Sequence, residues 1–293
     1  MKIVFIGTVD FSLQALEKLI DLNANIVGVC TKEASSFNSD FANLQPLCQK
    51  HSIPCYCTED VNAPQSIAWI KSLQPDIIFC FGWSNLIKKD LLELPALGVL
   101  GFHPTKLPLN RGRHPIIWSL ALGLKQSATT FFFMDEGADS GDILSQKEFD
   151  ISDHDDAYSL YKKITLTALS QIEEFLPQLE QNSYVKTAQD HSKANYWRKR
   201  SKRDGQVDFR MNSLSIYNLV RALSKPYVGA YIVYNSTDIS VWKVEILNYK
   251  EPHIEPGKVI TVENNCIIVK TNDGAVKILE HEFTTLPKIG EYL

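Results

Sequence analysis

Long hydrophobic runs are absent from the sequence. No apolar stretch approaches the roughly 20 residues that a membrane-spanning helix needs. At the N-terminus the apolar run covers only Ile3 to Ile6 before Gly7. That run is too short for the core of a signal peptide, and no small-residue cleavage site follows it. We therefore expect a cytoplasmic protein with no membrane partner.

Cysteine and histidine are too scattered in the sequence to predict a metal centre. The chain has six cysteines and seven histidines. Cys55 and Cys57 are separated by a single residue, which is not a zinc spacing, and no Cys or His pair follows at the required distance. We expect no metal, and we expect the cysteines to be buried free thiols.

Glycine is scarce where nucleotide-binding loops need it. Only Gly7 follows the first predicted strand, so the three-glycine dinucleotide fingerprint is missing, as is the Walker loop. A nicotinamide- or ATP-dependent activity thereby loses its usual support. Charge of one sign is not in excess either, because 30 basic residues stand against 34 acidic ones, with a pI near 6.0. This balance argues against wholesale electrostatic capture of nucleic acid or of an anionic membrane.

The first half of the chain alternates between strand and helix patterns. At about 150 residues per domain, the 293 residues correspond to two domains. Continuous apolar strands alternating with helices predict an α/β fold with an open, mostly parallel, Rossmann-like sheet covered on both faces. Ligands of such sheets bind beyond the carboxyl ends of the strands, so Gly7–Asp10, Phe81–Ile87 and the loop after Gly101 are expected to lie near one another. The predicted strands are Lys2–Ile6, Asn25–Cys30, Pro54–Cys57 and Asp76–Cys80.

The sequence pattern changes in the second half of the chain. Strands are predicted over Ser127–Met134 and Ile143–Phe149, and an amphipathic helix over Asp155–Leu179. Six basic residues and no acid lie between Lys193 and Arg203. The short alternating segments that follow predict a small, OB-like β-barrel. We expect an α/β domain over 1–184, a basic linker over 185–205 and the barrel over 206–293.

Two segments carry residue types that can perform chemistry. His103 directly follows a predicted buried strand, and the loop between the two later strands holds the carboxylates Asp135, Glu136 and Asp139. A carboxylate beside an imidazole orients it and raises its basicity. The imidazole can then take a proton from an attacking amine and return it to a leaving group. Taken singly, the two segments are more often a structural histidine and a solvated turn.

Several motifs, in the right order, resemble the formyltransferase family that uses 10-formyltetrahydrofolate. The segment from His103 to Pro115 matches the family's His-x-x-x-Leu-Pro-x-x-Arg-Gly-x-x-Pro element. The loop Asp135–Asp142 matches the one that carries the family's catalytic aspartate, here Asp139. The opening MKIVFIGTVDF resembles the family's first strand and turn, and the run from Asp204 resembles the start of its barrel-like C-terminal domain.

This resemblance implies a mechanism and a set of site residues. A substrate amine attacks the formyl carbon directly, with His103 as general base and acid and with Asp139 tuning and orienting it. The formyl donor, 10-formyltetrahydrofolate, is implied to lie against two loops and an arginine. These residues are Asn85, Leu86, Ile87, Arg113, Asp135, Glu136, Gly137, Ala138 and Asp139.

One position departs from the family pattern. Two residues before the histidine the family usually has an asparagine whose amide helps to stabilise the tetrahedral oxyanion, whereas this chain has Gly101. Losing one such donor typically lowers the rate by about 10²–10³. Because the rest of the element is intact, we expect compensation by a protonated His103, a backbone N–H, or the side chain of Asn110 or Asn85.

Three alternatives remain for the function. A nucleotide-linked amino sugar, in particular a 4-amino-4,6-dideoxy sugar for surface glycans, needs only one or two cationic contacts to its diphosphate. Methionyl-tRNA needs several, yet Thr31–Lys50, where the tRNA enzymes carry a basic insertion, has two basic and two acidic residues. A folate- or nucleotide-sugar-binding module without turnover is the third alternative, which only Gly101 supports.

The nucleotide-sugar alternative is the one that the charge balance favours. The basic Lys193–Arg203 stretch is then either a solvated linker or a grip on the diphosphate. Nucleic acid is a partner only under the tRNA alternative, and exposed strand edges of the barrel would allow a homodimer. The residues predicted to contact sugar or phosphate are Thr8, Asp10, Lys106, Trp197 and Arg198.

Overall fold

The computed structural model describes residues 1–35 and 39–293. The chain forms two compact units, the first made of residues 1–115, 127–149 and 162–197 and the second of residues 116–126, 150–161 and 198–293. The helices are α1 (Asp10–Asp21), α2 (Gln45–Lys50), α3 (Pro64–Ser72), α4 (Lys89–Leu92), α5 (Pro115–Ala121), α6 (Ala157–Glu180) and α7 (Ser213–Leu223).

The strands follow the expected order along the chain. The first nine are β1 (Ile3–Ile6), β2 (Ile26–Thr31), β3 (Cys55–Cys57), β4 (Ile77–Cys80), β5 (Val99–His103), β6 (Arg111–Gly112), β7 (Gln126–Phe133), β8 (Ile143–Asp150) and β9 (Tyr196–Trp197). The other five are β10 (Ala230–Tyr234), β11 (Thr237–Leu247), β12 (Val259–Glu263), β13 (Cys266–Lys270) and β14 (Ala275–His281).

Seven strands of the first unit form one sheet in the order β3-β2-β1-β4-β5-β7-β8. The first five strands in this order, β3-β2-β1-β4-β5, run parallel to one another, and β7 is antiparallel to β5. All four residues of β1 are fully buried, as expected for a strand covered on both faces. The predicted Rossmann-like sheet is therefore confirmed, and the order in which strands are added reverses between β1 and β4.

Aromatic side chains support the carboxyl ends of the central strands. The ring of Phe81, directly after β4, lies 5.7 Å from Phe5, 5.2 Å from Phe79 and 5.1 Å from Phe131, measured between centroids. All four rings are fully buried. Offset and edge-to-face pairs of this kind each contribute about 0.5–1.5 kcal/mol beyond their burial. This cluster joins β1 and β4 to β7, the strand that pairs with β5 next to His103.

Hydrogen bonds join the loops at this edge of the sheet. The hydroxyl of Thr8 donates to the carbonyl of Gly82 (3.1 Å), and that of Ser12 donates to the carbonyl of Phe81 (2.6 Å). The guanidinium of Arg113 donates to the carbonyl of Ser84 (2.6 Å). The expected proximity of the loops after β1, β4 and β5 is thus confirmed.

The second unit contains a five-stranded antiparallel sheet in the order β10-β11-β14-β13-β12. Helix α7 packs against β11 and β14. Its first turn is capped by the side chain of Asn212, which accepts from the N–H of Ser215 (2.7 Å). These are the short strands that the sequence predicts for an OB-like domain.

The cysteines are free, but the prediction that they are buried is only partly right. Cys30, Cys48 and Cys80 are buried, and burial raises the pKa of Cys80 to about 12. Cys55 and Cys57 are half-buried, because β3 lies at the edge of the sheet; Cys266 is likewise half-buried. Within the described parts of the chain, every helix is too short or too polar to span a bilayer.

Candidate active site

The imidazole of His103 lies at the end of β5 and is almost completely buried. Its Nδ1 is 3.6 Å from Oδ2 of Asp139, and its Nε2 is 2.9 Å from the carbonyl oxygen of Asn110. Because a carbonyl oxygen can only accept, Nε2 carries a hydrogen. In the neutral ring, Nδ1 therefore holds the lone pair and faces the carboxylate.

This arrangement can hold one proton between an imidazole and a carboxylate. A proton that arrives at Nδ1 gives an imidazolium that donates to Asn110 on one side and faces Asp139 on the other. The carboxylate thus stabilises the charged ring and fixes its orientation. The structure brings together the two residues for which the sequence predicts general acid–base chemistry.

Asp139 is held by a backbone contact as well as by its loop. The N–H of Gly112 in β6 donates to Oδ2 of Asp139 (2.8 Å). Asp139 has φ +53°, a left-handed conformation that few residues other than glycine adopt. Earlier in the loop, Oδ1 of Asp135 accepts from the N–H of Gly137 (2.9 Å) and the hydroxyl of Ser140 (2.6 Å).

Three contributors to this site were not predicted from the sequence. Strand β6 pairs in parallel with β9, and Asn195 binds the neighbouring loop with its side chain and backbone. The amide of Gln189 reaches the carbonyl oxygen of Asp139 (2.9 Å). A two-residue strand has no periodicity, and the only available signal was the Arg-Gly pair of the family motif.

The space beside Gly101 is filled by apolar atoms. A Cβ added at Gly101 would lie 2.8 Å from Cγ and 3.2 Å from Sδ of Met134, and 3.1 Å from Cζ of Phe132. Real Cβ atoms essentially never approach another atom to 2.8 Å. Met134 therefore occupies the volume that a side chain at position 101 would need, which is a physical reason for the glycine.

The loop N–H groups next to His103 are already engaged. Those of Asn110 and Arg111 donate to the side chain and carbonyl of Asn195 (2.8 and 3.0 Å), and that of Gly112 donates to Asp139. The side-chain oxygen of Asn110 also accepts from Asn195 (3.1 Å). These three backbone N–H groups are therefore not free to replace the missing asparagine.

Two loops predicted to hold the folate contact one short segment of chain. Gly112 binds Asp139, and Arg113 binds the carbonyl of Ser84, next to Asn85. Leu86 is 66% exposed, whereas Ile87 is buried. Asp135, Glu136, Gly137 and Ala138 are exposed and Asp139 is half-buried. Ile87 thus contributes to the core beneath the loop, and the others form its surface.

The residues predicted to bind sugar or phosphate are mostly engaged already. Thr8 is buried and bonded to Gly82, and the ammonium of Lys106 is 2.6 Å from a carboxylate oxygen of Glu148. Trp197 pairs through its backbone with β6. Asp10 begins α1, and burial raises the pKa of its carboxyl.

Three of the six basic residues from Lys193 to Arg203 pair with acids. Arg198 makes two hydrogen bonds to the Asp204 carboxylate (2.5 and 2.9 Å), and these hold the pKa of Asp204 well below its usual range. Lys193 pairs with Asp190 (2.9 Å), and Lys202 pairs with Asp238. Half of the positive charge of this stretch is therefore paired with a carboxylate.

Residues 1–174 match the family described as formyl transferase, and residues 199–289 match the formyl transferase C-terminal domain. The chain belongs to the formyltransferase family. Members of this family use 10-formyltetrahydrofolate. The methionyl-tRNA formyltransferase of Clostridioides difficile (strain 630) is 31% identical over 299 residues, which cover 100% of this chain and 96% of that relative.

Solved structures share the fold of this formyltransferase at low sequence identity. The N-formyltransferase of Helicobacter canadensis, solved with folinic acid and dTDP-3-aminofucose, has a TM-score of 0.72 at 18% identity, over 96% of this chain and 99% of that one. HypX of Aquifex aeolicus, solved with tetrahydrofolic acid, has a TM-score of 0.70 at 17% identity. The match covers 96% of this chain and 44% of HypX, so this formyltransferase spans less than half of HypX.

Proposed function

We propose that this protein transfers the formyl group of 10-formyltetrahydrofolate to the amine of a nucleotide-linked amino sugar, such as a 4-amino-4,6-dideoxy sugar. The approach of His103 Nδ1 to Asp139 Oδ2, at 3.6 Å, is the observation that carries the reaction. A neutral imidazole held beside a carboxylate is suited to accept one proton and release it again.

The proposed reaction needs no covalent enzyme intermediate. The amine nitrogen attacks the formyl carbon, which becomes tetrahedral and carries an oxyanion. His103 takes a proton from the amine at Nδ1, and the imidazolium pairs with Asp139. The bond from the formyl carbon to N10 of the folate then breaks, and the proton moves to N10. The ring returns to its neutral form, and the products are the formamide and tetrahydrofolate.

The exposed residues around the pair suit a folate. The Asp135–Ala138 stretch offers exposed backbone and carboxylate oxygens, and Leu86 offers an exposed apolar surface. Both belong to loops that bind the Gly112–Arg113 segment beside His103. A fused ring with polar edges can use both kinds of surface. This supports the proposal that the predicted folate residues other than Ile87 take part in binding.

The charges of the described residues support a small acceptor over a nucleic acid. Lys32, in the segment where the tRNA enzymes are basic, is paired with Glu59 (2.7 Å). The ion pairs of Lys193, Arg198 and Lys202 engage three of the six basic residues of the second basic segment. A diphosphate needs one or two cationic contacts, whereas a tRNA acceptor stem needs several.

Methionyl-tRNA is a second candidate acceptor. It is favoured by one observation, the 31% identity over the whole chain to a relative named methionyl-tRNA formyltransferase. The fold does not separate the candidates, because both kinds of enzyme match almost the whole length of this chain.

The release of tetrahydrofolate distinguishes the acceptors. The protein is mixed with 10-formyltetrahydrofolate and, in separate reactions, with UDP- and dTDP-linked 4-amino sugars or with charged methionyl-tRNA. We expect release with an amino sugar. Release with methionyl-tRNA alone would contradict the proposed acceptor but not the reaction, and no release with any amine would favour a binding module.

A matched pair of histidine substitutions tests the reaction itself. His103→Gln is expected to lower the rate of release by about 10²–10⁴, whereas His51→Gln, at the exposed histidine that follows α2, is expected to leave it unchanged. Equal activity of both variants would remove His103 from the mechanism.

A further inference from the structure

Arg111 is a buried arginine whose hydrogen-bond partners are neutral. Its side chain is 1% exposed. Its guanidinium donates to Oε1 of Gln189 (2.6 Å), to the hydroxyl of Tyr196 (2.9 Å) and to Nδ1 of His191 (3.1 Å). A buried guanidinium is costly unless its N–H groups are hydrogen-bonded. Arg111 therefore fixes the positions of the side chains that accept these hydrogen bonds.

Gln189 transmits this constraint to the aspartate loop. Its side chain is nearly as buried as that of Arg111. Because an arginine only donates and a carbonyl only accepts, the amide can have one orientation, with Oε1 toward Arg111. Nε2 then donates to the carbonyl oxygens of Asp139 (2.9 Å) and Gly141 (2.6 Å). One amide therefore spans the loop on both sides of Ser140.

Strand β6 contacts both Gln189 and the carboxylate of Asp139. Arg111 and Gly112 are neighbours in β6: the first fixes Gln189, and the second donates its N–H to Oδ2 of Asp139 (2.8 Å). The backbone and the side chain of Asp139 are thus fixed from the same strand, although Asp139 adopts a left-handed φ. Without the amide, this conformation loses its backbone restraint.

We propose that Gln189, clamped by Arg111, is a positioning residue that keeps Asp139 within reach of His103. The inference rests on the proposed function, since it assigns Gln189 a part in the same proton transfer. Gln189 touches neither the formyl group nor the imidazole, and it acts through the backbone of Asp139.

Gln189→Glu separates the two contacts of this side chain. The carboxylate keeps an acceptor for Arg111, and adds charge to that contact, but it cannot donate to the two loop carbonyls. We expect kcat to fall by 10- to 100-fold while the KM for the folate changes by less than threefold. We also expect a change in the pH profile of kcat/KM. On the acid side of this profile, the pH at which kcat/KM is half of its maximum is expected to move by more than half a unit.

Gln171→Glu is the matched control. Gln171 is a fully buried glutamine of α6 that likewise donates to a carbonyl, that of Thr129 (3.3 Å), and to the hydroxyl of Ser145 (2.9 Å). This substitution is expected to lower the thermal midpoint without changing kcat or its pH profile. Tyr196→Phe is a second test variant. Tyr196 is exposed, so the variant is expected to fold, and the substitution removes one hydrogen-bond partner of Arg111. We expect a two- to fivefold loss of kcat.

Hydrogen exchange gives a readout that does not depend on turnover. The amide protons of residues 135–142 are expected to exchange at least tenfold faster in Gln189→Glu than in wild type, and unchanged in Gln171→Glu. If the wild type transfers no formyl group but this exchange difference holds, the proposed function has failed and the clamp has not. A kcat for Gln189→Glu within twofold of an active wild type, or unchanged exchange, would overturn the clamp.

Discussion

Replacing Gly101 with asparagine tests both the packing beside His103 and the missing amide. The added Cβ would meet Cγ of Met134 at 2.8 Å and Cζ of Phe132 at 3.1 Å. Overpacking of this kind typically costs about 1–3 kcal/mol. We therefore expect Gly101→Asn to lower the free energy of unfolding by that amount, measured by urea denaturation.

The same substitution in a Met134→Ala background removes the obstruction. Methionine is flexible, but the overlap with Cγ and Sδ disappears only when those atoms do. We expect the cost of Gly101→Asn to shrink by at least 1 kcal/mol in this background, the coupling typical of residues in contact. An equal cost in both backgrounds would refute the packing argument.

The double variant then reports on the oxyanion. If a protonated His103 already stabilises it, the new amide changes the rate of tetrahydrofolate release by less than tenfold. An uncompensated site gains about 10²–10³ from one correctly placed donor. If the rate of tetrahydrofolate release rises by that factor from Met134→Ala to Gly101→Asn/Met134→Ala, the expected compensation is refuted.

Two further predictions concern the second unit, and both are read by urea denaturation. Asn212→Ala removes the acceptor for the N–H of Ser215 at the start of α7 and is expected to lower the free energy of unfolding by about 1 kcal/mol; an unchanged midpoint would contradict this. Burial acts to raise the pKa of Asp273, but hydrogen bonds from the N–H and hydroxyl of Ser213 outweigh it, so the pKa is lowered. The stability from this carboxylate is present above the unfolded pKa of about 3.9 and is lost as the pH falls through the lower folded value; Asp273→Asn is expected to be less stable than wild type at pH 7 and to lose less stability on acidification to pH 2, and parallel losses would contradict this.

Elements with a continuous or periodic apolar face were predictable from the sequence. The strand predicted over Lys2–Ile6 is β1, Ile3–Ile6, and the helix predicted over Asp155–Leu179 is α6, Ala157–Glu180. Burial on both faces gives the strand its unbroken apolar run, and burial on one face gives the helix its spacing. Both elements could therefore be predicted from the sequence, and only their end residues differ from the prediction.

Polar contacts between distant parts of the chain were not predictable from pattern. Gln189 lies 78 residues from Arg111 and 50 from Asp139, and nothing in its surroundings in the sequence marks it as buried. The acids that pair with the basic stretch include Asp238, far along the chain in β11. Such pairs leave no periodic trace, so a run of lysine and arginine resembles an anion site until its partners are located.

The acid–base pair is tested most directly by a double-mutant cycle on His103 and Asp139. At 3.6 Å, a full imidazolium–carboxylate attraction is of the order of 4 kcal/mol at an effective dielectric constant near 20, an upper limit of roughly 10³ in rate. We predict that Asp139→Asn lowers kcat by about 10²–10³ in a folded protein, and that adding it to His103→Gln costs no further activity, because residues that act as one unit are not additive. Independent, multiplying losses, or a kcat for Asp139→Asn within threefold of wild type, would contradict the pair.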